Sequence, residues 1–422
     1  MPFVFAHLPG EVTAVPAGLL DLTEQGPELQ ASQFQYGTRY AVRRKPSAIA
    51  VDPVSLPLER AGERMLPVNG LAMFGALRDA TPDDWGRRVI ENRLEAPANS
   101  LPESVYMLEA GSNRVGALDV RPAVDSPPHN PELPSAIDLQ YLVDASARVE
   151  EGLPVPVHLA NYFAGAPSLG GARPKATVLH QGIEWIAKFP SIRDRFNVPS
   201  VERATLELAR RAGLSVPRTG LQTLADGRQV MLIERFDRIP VATGMSRKHM
   251  VSALTMLGLT DQDSPDTSYA RIVRVIEQWG ADGQVTAQRE ELFSRMIFNI
   301  LVTNDDDHLR NHAFVHDDGA WNLSPLYDVV PKPQVGTERT LHLGVGPNGR
   351  KATLDNAIAG YGDFGLTQAR AAQLIDAVVG TVRTWRTVFE EFEVSAKDCN
   401  DVATAFRRAS DVGMAEVSKY LS

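Results

Sequence analysis

Two hydrophobic rhythms run along this chain, and the change between them divides it. Up to about residue 240 the apolar positions come in short runs with a period near two, broken by Gly and Pro, as expected of strands joined by turns. Arg39-Tyr40-Ala41-Val42-Arg43 is one such alternating run. Residues 176–180, a Gln181-Gly182 turn and residues 183–189 predict a hairpin, and a further strand is expected over 229–236. Helices interrupt this half at 82–95, where Pro82 follows Thr81, at 136–151, and at 201–212, capped by Ser200 and closed by Gly213. Pro122, Pro127, Pro128, Pro131 and Pro134 exclude a regular helix over 121–135 and mark a linker or extended wrap. From about Met245 onward apolar residues recur at helical spacing, over 269–279, 289–302, 366–386 and 403–420. The pattern predicts an α+β chain with a β-rich N-terminal half and an all-α C-terminal half, divided near residues 130 and 240.

Composition narrows the class without changing that picture. A chain of 422 residues with 43% hydrophobic and 23% charged positions has enough apolar material for two or three cores. The net charge of −9 argues against a protein that coats nucleic acid by itself, while leaving room for a local basic face. Cys399 is the single cysteine, so neither an intrachain disulfide nor a cysteine-built zinc site is available, and a packed thiol in a reducing compartment is expected. The start of the chain lacks the pattern of a signal peptide and no stretch is apolar for long enough to span a bilayer; a cytoplasmic protein with no membrane partner is expected.

The chemistry concentrates in Asn304-Asp305-Asp306-Asp307-His308-Leu309-Arg310-Asn311, which follows the apolar run 292–302, and in Leu326-Tyr327-Asp328. Asn311 lies five residues after Asp306, the spacing of a kinase catalytic loop. Phosphoryl transfer needs one carboxylate to orient the attacking hydroxyl, and an Asn oxygen with a second carboxylate to hold magnesium against the phosphates. Asp306 is the candidate for the first task; Asn311 and Asp328 are the candidates for the second. Asp305 and Asp307 are expected to face solvent, and His308 to shape the loop beside the nucleotide rather than act as a base. Upstream, the small residues of Ser168-Leu169-Gly170-Gly171-Ala172-Arg173-Pro174-Lys175 would let backbone N–H groups approach phosphates, with Arg173 or Lys175 adding charge. On the strand that follows, Lys188 and Ile186 point away from the face shared by Ile183, Trp185, Ala187 and Phe189, an arrangement like the kinase Val-Ala-Ile-Lys strand. Glu202 could hold that lysine, or could simply favour a helix N-terminus. Glu234-Arg235-Phe236-Asp237 ends the last strand, where the backbone of Glu234 and Phe236 would read the edge of adenine; a strand end with a surface Asp237–Arg238 pair is the plain alternative.

Together these segments resemble the HipA family of bacterial serine/threonine kinase toxins. The matching stretches are Ser168 to Lys175, Ala187-Lys188-Phe189, Glu234 to Arg238, Asp306 to Asn311 and Pro325 to Asp328, in the family's order. The resemblance implies a two-lobed kinase-like fold with an extra N-terminal subdomain, and ATP and magnesium as cosubstrates. It also implies a helix-turn-helix antitoxin through which DNA is met indirectly, and a protein substrate such as an aminoacyl-tRNA synthetase. It makes Asp306 catalytic, Asn311 and Asp328 magnesium ligands, Lys188 a phosphate contact, and Ser168 a site of inhibitory autophosphorylation. Gly170, Gly171, Ala172, Arg173, Lys175, Glu234, Phe236 and His308 would complete the ATP site. A small-molecule kinase, or a non-catalytic corepressor docked on a DNA-binding partner, are the competing readings.

Overall fold

The computed structural model describes residues 1–129, 133–135, 138–156 and 171–421, which form two compact units. The first comprises Met1–Arg193, Gln222–Leu259 and Val315–Asp317; the second comprises Asp194–Leu221, Thr260–Phe314 and Asp318–Ser422.

The first unit is the β-rich one. Strands β1 (Phe3–His7), β2 (Ala14–Gln25), β3 (Glu28–Tyr36) and β4 (Leu118–Arg121) make an antiparallel sheet in the order β3-β2-β1-β4. A second sheet holds β5 (Lys175–His180), β6 (Ile183–Lys188), β7 (Thr219–Thr223) and β8 (Gln229–Glu234) in the order β5-β6-β8-β7, with the chain re-entering the unit at Gln222. The β5–β6 hairpin turns on Gln181 and Gly182, both with positive φ (52° and 76°), the geometry that keeps a two-residue turn in step with strand twist. One face of this sheet carries Ala176, Val178, Trp185, Ala187 and Phe189 into a core shared with Trp85 and Val89 of helix Asp84–Arg93 and Leu142 and Val143 of helix Leu139–Glu150. Each large side chain buried there contributes about 1.5–3 kcal/mol. The alternating run at Arg39 is not a strand: Thr38–Ala41 is a short helical turn, because Tyr40 must fold back to stack on Tyr36 at 5.7 Å and donate its hydroxyl to the carbonyl of Ile49 at 2.7 Å.

Behind β8, a buried ionic network ties loop to strand. The Asp237 carboxylate accepts from Arg235 at 2.8 Å, from Arg238 at 2.9 Å and from the backbone N–H of Gly116 at 2.8 Å. Both guanidiniums also donate to the Asn113 side chain and the Arg114 carbonyl, and both meet Glu184, at 3.5 and 3.2 Å. The Asp237–Arg238 pair is thus an interior one, Asp237 and Arg238 each being 4% exposed, and not a surface pair. Strands β9 (Arg238–Val241) and β10 (Gly244–Arg247) follow as a hairpin.

The second unit is mainly helical. Its central helix, Val285–Val302, buries Leu292, Phe293, Met296, Ile297, Phe298, Ile300, Leu301 and Val302, and packs on Tyr269–Trp279 and Gln368–Val382. Cys399 is packed with Val201, Ala204, Phe389, Val394 and Val402, as a buried thiol should be. Several boundaries differ from the sequence expectation. Helix Val198–Arg211 starts earlier than Val201, because Asn197, not Ser200, is the cap and accepts from the Ser200 N–H. The run over 366–386 breaks after Val382, and Trp385–Glu391 is a separate helix. The run over 403–420 consists of single turns, since Gly413 holds φ +93° with the Asp355 carboxylate where a Cβ would stand. Helical spacing of apolar residues there is met by short turns that bury one or two side chains, or none in the last, Ser418–Tyr420. The reading of everything after Met245 as helical also passed over strands Met250–Ser252, Ala313–Asp317 and Ala320–Leu323. Asp318-Gly319, with φ +48° and +83°, is the hairpin signal for the last two. No helix among the described residues is long and apolar enough to cross a membrane.

Burial alone would push the Asp237 carboxyl up, but the Arg235 and Arg238 guanidiniums hold it well below the usual carboxylate range. A depressed carboxylate stabilises the fold above its unfolded pKa, near 4, and that stability is lost as pH falls through the folded value. Asp237→Ala is expected to destabilise the protein by about 3–5 kcal/mol, because it leaves two buried guanidiniums with Glu184 as their shared carboxylate, and to flatten the acid limb of a stability–pH curve. Denaturant unfolding from pH 7 down to pH 3 checks both; an unchanged acid limb would remove Asp237 as its source.

Candidate active site

The candidate residues fall into two groups, one on each unit. In the second unit the apolar helix Val285–Val302 ends at Thr303, which adopts a left-handed φ of +52°, a conformation that a β-branched residue rarely accepts. Its neighbours over-determine it. The Thr303 hydroxyl donates to the Ala405 carbonyl at 2.6 Å and accepts from Arg339 at 2.5 Å, and the Thr303 carbonyl accepts from the Lys332 N–H at 3.1 Å. The chain then enters the acidic segment already aimed.

Of the three consecutive aspartates, only the middle one is open to solvent. Asp305 is 18% exposed, ion-paired with Lys332 at 3.0 Å and hydrogen-bonded by Gln334 at 2.9 Å. Asp307 is buried, accepting the Tyr269 hydroxyl at 2.7 Å and the His342 backbone N–H at 2.7 Å. The expectation that Asp305 and Asp307 face solvent is therefore overturned. Each has a dedicated set of donors, and an isolated buried carboxylate would be far too costly. The Tyr269 hydroxyl in turn accepts from Asn299, whose carbonyl oxygen accepts from Asn304. Asp306, by contrast, leaves 75% of its side chain exposed, with His308 Nε2 at 3.7 Å from Oδ1.

Asn311 sits at the end of a single helical turn, Leu309–Asn311, and its Nδ2 donates to the Asp306 carbonyl at 2.7 Å. With the amide nitrogen committed, the oxygen is the atom left to face a cation. Asp328 is half-buried and adopts a left-handed φ of +58°, a second strained position in the same group. The segments around it are tethered: the Tyr327 hydroxyl donates to the Arg310 carbonyl and the Leu326 N–H to the Ser215 carbonyl. Partial burial raises the Asp306 carboxyl and the charges of Asp328 and Asp305 raise it further, while His308 opposes them. Since most of the Asp306 side chain is exposed, repulsion from the Asp328 and Asp305 carboxylates is a firmer cause than burial. Amide and carboxylate oxygens are the hard donors that magnesium prefers, and Asn311 and Asp328 supply those types; among the described residues no group of three or more His, Cys, Asp or Glu side chains is gathered as a metal cluster.

In the first unit, β5 and β6 pair Lys175 directly with Lys188, so both ammonium stems project from the same face, opposite the apolar core. They are 4% and 9% exposed. The pairing sets two positive side chains side by side on that face. Gly171 takes φ +92°, which requires glycine, and the carbonyl of the exposed Ala172 accepts from Arg88 at 2.9 Å; Arg173 is half-buried. Ser168 and Gly170 lie outside the described residues. Glu234 and Phe236, both half-buried, flank Arg235 of the ionic network, which fixes the path of the backbone at the end of β8. Glu202 is buried at 1% in helix Val198–Arg211 of the second unit, beyond the first-turn positions where a surface acid answers the helix dipole.

Tyr269, Asn299, Asn304, Thr303 and Arg339 were not singled out from the sequence. Asn304 stood at the head of the acidic stretch without a role, and Asn299 left a trace as the one amide in the apolar stretch Met296 to Val302.

The architecture is an α+β kinase-like fold. Over 99% of the chain it matches a chain of the Shewanella oneidensis toxin–antitoxin complex of HipA, HipB and operator DNA, with a TM-score of 0.68, 17% identity and 97% of that chain covered. Residues 167–386 match the model of the HipA-like C-terminal domain, and the protein belongs to that family. A Haemophilus influenzae protein named as a suspected kinase is 26% identical over 240 residues, which cover 52% of this chain and 64% of that protein's length. The Shewanella oneidensis serine/threonine-protein kinase toxin HipA is 24% identical over 329 residues, 71% of each chain.

Thr303→Val keeps the shape of the strained residue but removes its hydroxyl, leaving the Ala405 carbonyl with only the 3.5 Å contact of Arg339 and taking one acceptor from Arg339. A loss of about 1–3 kcal/mol is expected, against less than about 1 kcal/mol for Thr303→Ser, which retains the oxygen. Urea unfolding of the two variants measures the difference; equal losses would mean that the hydroxyl holds nothing.

Proposed function

We propose that this protein is an ATP- and magnesium-dependent serine/threonine protein kinase, acting in the cytoplasm as the toxin of a toxin–antitoxin pair. The observation that carries the reading is the Asp306, Asn311 and Asp328 set. One exposed carboxylate lies between two anchored ones, beside an amide whose nitrogen is pinned so that its oxygen is presented. The position of the family match and the likeness to the HipA relatives support it.

In the proposed reaction, Asp306 orients a serine or threonine hydroxyl and receives its proton as the oxygen attacks the γ-phosphorus. The bond from that phosphorus to the bridging oxygen breaks, and ADP leaves. Magnesium, when held by Asn311 and Asp328, supplies positive charge to the phosphate oxygens. Lys188, with Lys175 beside it, neutralises the phosphates, and backbone N–H groups from Gly170 to Arg173 cradle them. Glu202 holds Lys188, His308 steadies the loop beside the nucleotide, and the peptide groups of Glu234 and Phe236 receive adenine. We further propose a helix-turn-helix antitoxin as partner, a component of translation such as an aminoacyl-tRNA synthetase as substrate, and Ser168 as the target of inhibitory autophosphorylation. A phosphate on Ser168 would repel the anionic tail of ATP.

Asp306→Ala and Asp328→Ala are each expected to abolish phosphoryl transfer and growth inhibition while circular dichroism stays native. Near wild-type transfer by folded Asp306→Ala would overturn the assignment. Lys188→Ala is expected to nearly eliminate turnover and weaken ATP binding, with a smaller effect from Lys175→Ala. Nucleotide titration and single-turnover rates separate the two, and equal losses would assign the phosphates to the lysine pair rather than to Lys188. Incubation with ATP and magnesium followed by mass spectrometry should find phosphate on Ser168, and the modified protein should bind ATP weakly; equal affinity of both forms would remove the switch.

A further inference from the structure

One turn of the first unit concentrates positive charge that nothing in phosphoryl transfer uses. Arg39, Arg43, Arg44 and Lys45 lie within seven residues, and no Asp or Glu occurs from residue 29 to residue 51. All four are exposed, and none makes an ion pair among the described residues. Arg39 lies on the Thr38–Ala41 turn, and Arg43, Arg44 and Lys45 follow directly after Val42, which closes that turn.

The backbone that carries them is held firmly. Tyr40, 2% exposed, stacks on Tyr36 with rings 7° from parallel, and its hydroxyl donates to the Ile49 carbonyl while accepting from the Ile49 N–H at 3.3 Å. The Tyr36 hydroxyl does the same between the Leu56 carbonyl and the Val51 N–H, each at 2.8 Å. Arg44 closes a further turn through its carbonyl, which accepts from the Ser47 hydroxyl at 3.0 Å. The cations therefore project from an ordered platform, so less entropy is lost when they meet a fixed array of anions.

The chemistry of the patch selects its ligand. A protein partner would need an apolar centre to bury, and the patch offers only Val42, 68% exposed. Single-stranded nucleic acid would need aromatic rings for stacking, and the two tyrosines here are interior, Tyr36 being 3% exposed. Charge without apolar or aromatic surface matches a row of phosphates. The overall charge of −9 does not forbid this, because at 0.1 M salt charges more than about 10 Å away are screened while the local cations act at contact.

We propose that the Arg39–Lys45 turn binds the phosphate backbone of duplex DNA, without reading its sequence. It stands apart from the kinase reading and would survive its failure. Four phosphate contacts predict a log–log salt slope of about −3.6, so affinity for a 20-base-pair duplex should fall about 100-fold between 50 and 200 mM salt. Fluorescence anisotropy of the full chain reads this directly. Arg43→Gln/Arg44→Gln should halve the slope and leave the thermal midpoint unchanged; if that pair disturbs folding, Arg39→Gln and Lys45→Gln, tested singly, should each lower the slope by about 0.9. Absence of duplex binding at 50 mM salt, or a slope that the substitutions do not change, would overturn the proposal. So would equal or tighter binding of single-stranded DNA or duplex RNA, or arginine-dependent binding to phosphatidylserine vesicles in place of DNA.

Discussion

The second unit's site depends on one buried carboxylate. Asp307 has no exposure to spare, and burial pushes its carboxyl up to about 7, a rise that the Tyr269 hydroxyl and the backbone N–H groups of His342 and Leu343 only partly oppose. A group so costly to bury persists only where its donors are already in place. Those donors come from the start of helix Tyr269–Trp279 and from the bend at His342, so accepting from both pins the acidic loop at two places at once. The Asn299–Tyr269 and Asn304–Asn299 bonds carry the same constraint back into the central helix. With Asp305 held on one side by Lys332 and Gln334 and Asp307 on the other by this network, Asp306 is left as the aspartate that faces solvent.

Strain sits beside that anchor rather than at random. Thr303 and Asp328 both hold left-handed backbone where glycine would be easier, and both border the acidic group. Each is retained by bonds around it: three at Thr303, and the tethers of Leu326 and Tyr327 just before Asp328. A threonine at the first position gives up backbone comfort for a hydroxyl that locks Arg339. An aspartate at the second gives it up for a carboxylate whose charge helps to raise that of Asp306. The same economy governs the first unit, where Asp237 collects two arginines and a backbone N–H behind the end of β8.

Legibility in the sequence followed the range of the interactions. The β5–β6 hairpin was readable because its period, its turn and its apolar face all agree locally. Spacing and residue chemistry pointed to Asp306, Asn311 and Asp328, and of these the structure joins Asn311 to the Asp306 carbonyl. The fates of Asp305 and Asp307 were not, since three adjacent aspartates look alike until Lys332, Gln334, Tyr269 and His342 arrive from elsewhere in the chain. Helical spacing misled at 403–420 for a related reason: a period near 3.6 can be met by separate turns, and what separates them here is the contact of Gly413 with Asp355, nearly sixty residues distant. The Asp318-Gly319 turn, by contrast, was local and could have been seen.

The alternating run at Arg39 combines both lessons. Its polar–apolar alternation is not realised as burial, since Tyr40 is interior while Val42 is exposed, and a strand would have carried the ring away from Tyr36. Placing the two tyrosines four residues apart on a turn lets them stack and satisfy both hydroxyls in the interior. The polar members of the run, freed from any sheet, then gather on the outside as a compact set of cations. A buried aromatic pair thus decides where charge is displayed, much as the buried Asp307 decides which aspartate is displayed. In both units the interior contact comes first, and the chemistry offered to solvent is what that contact leaves over.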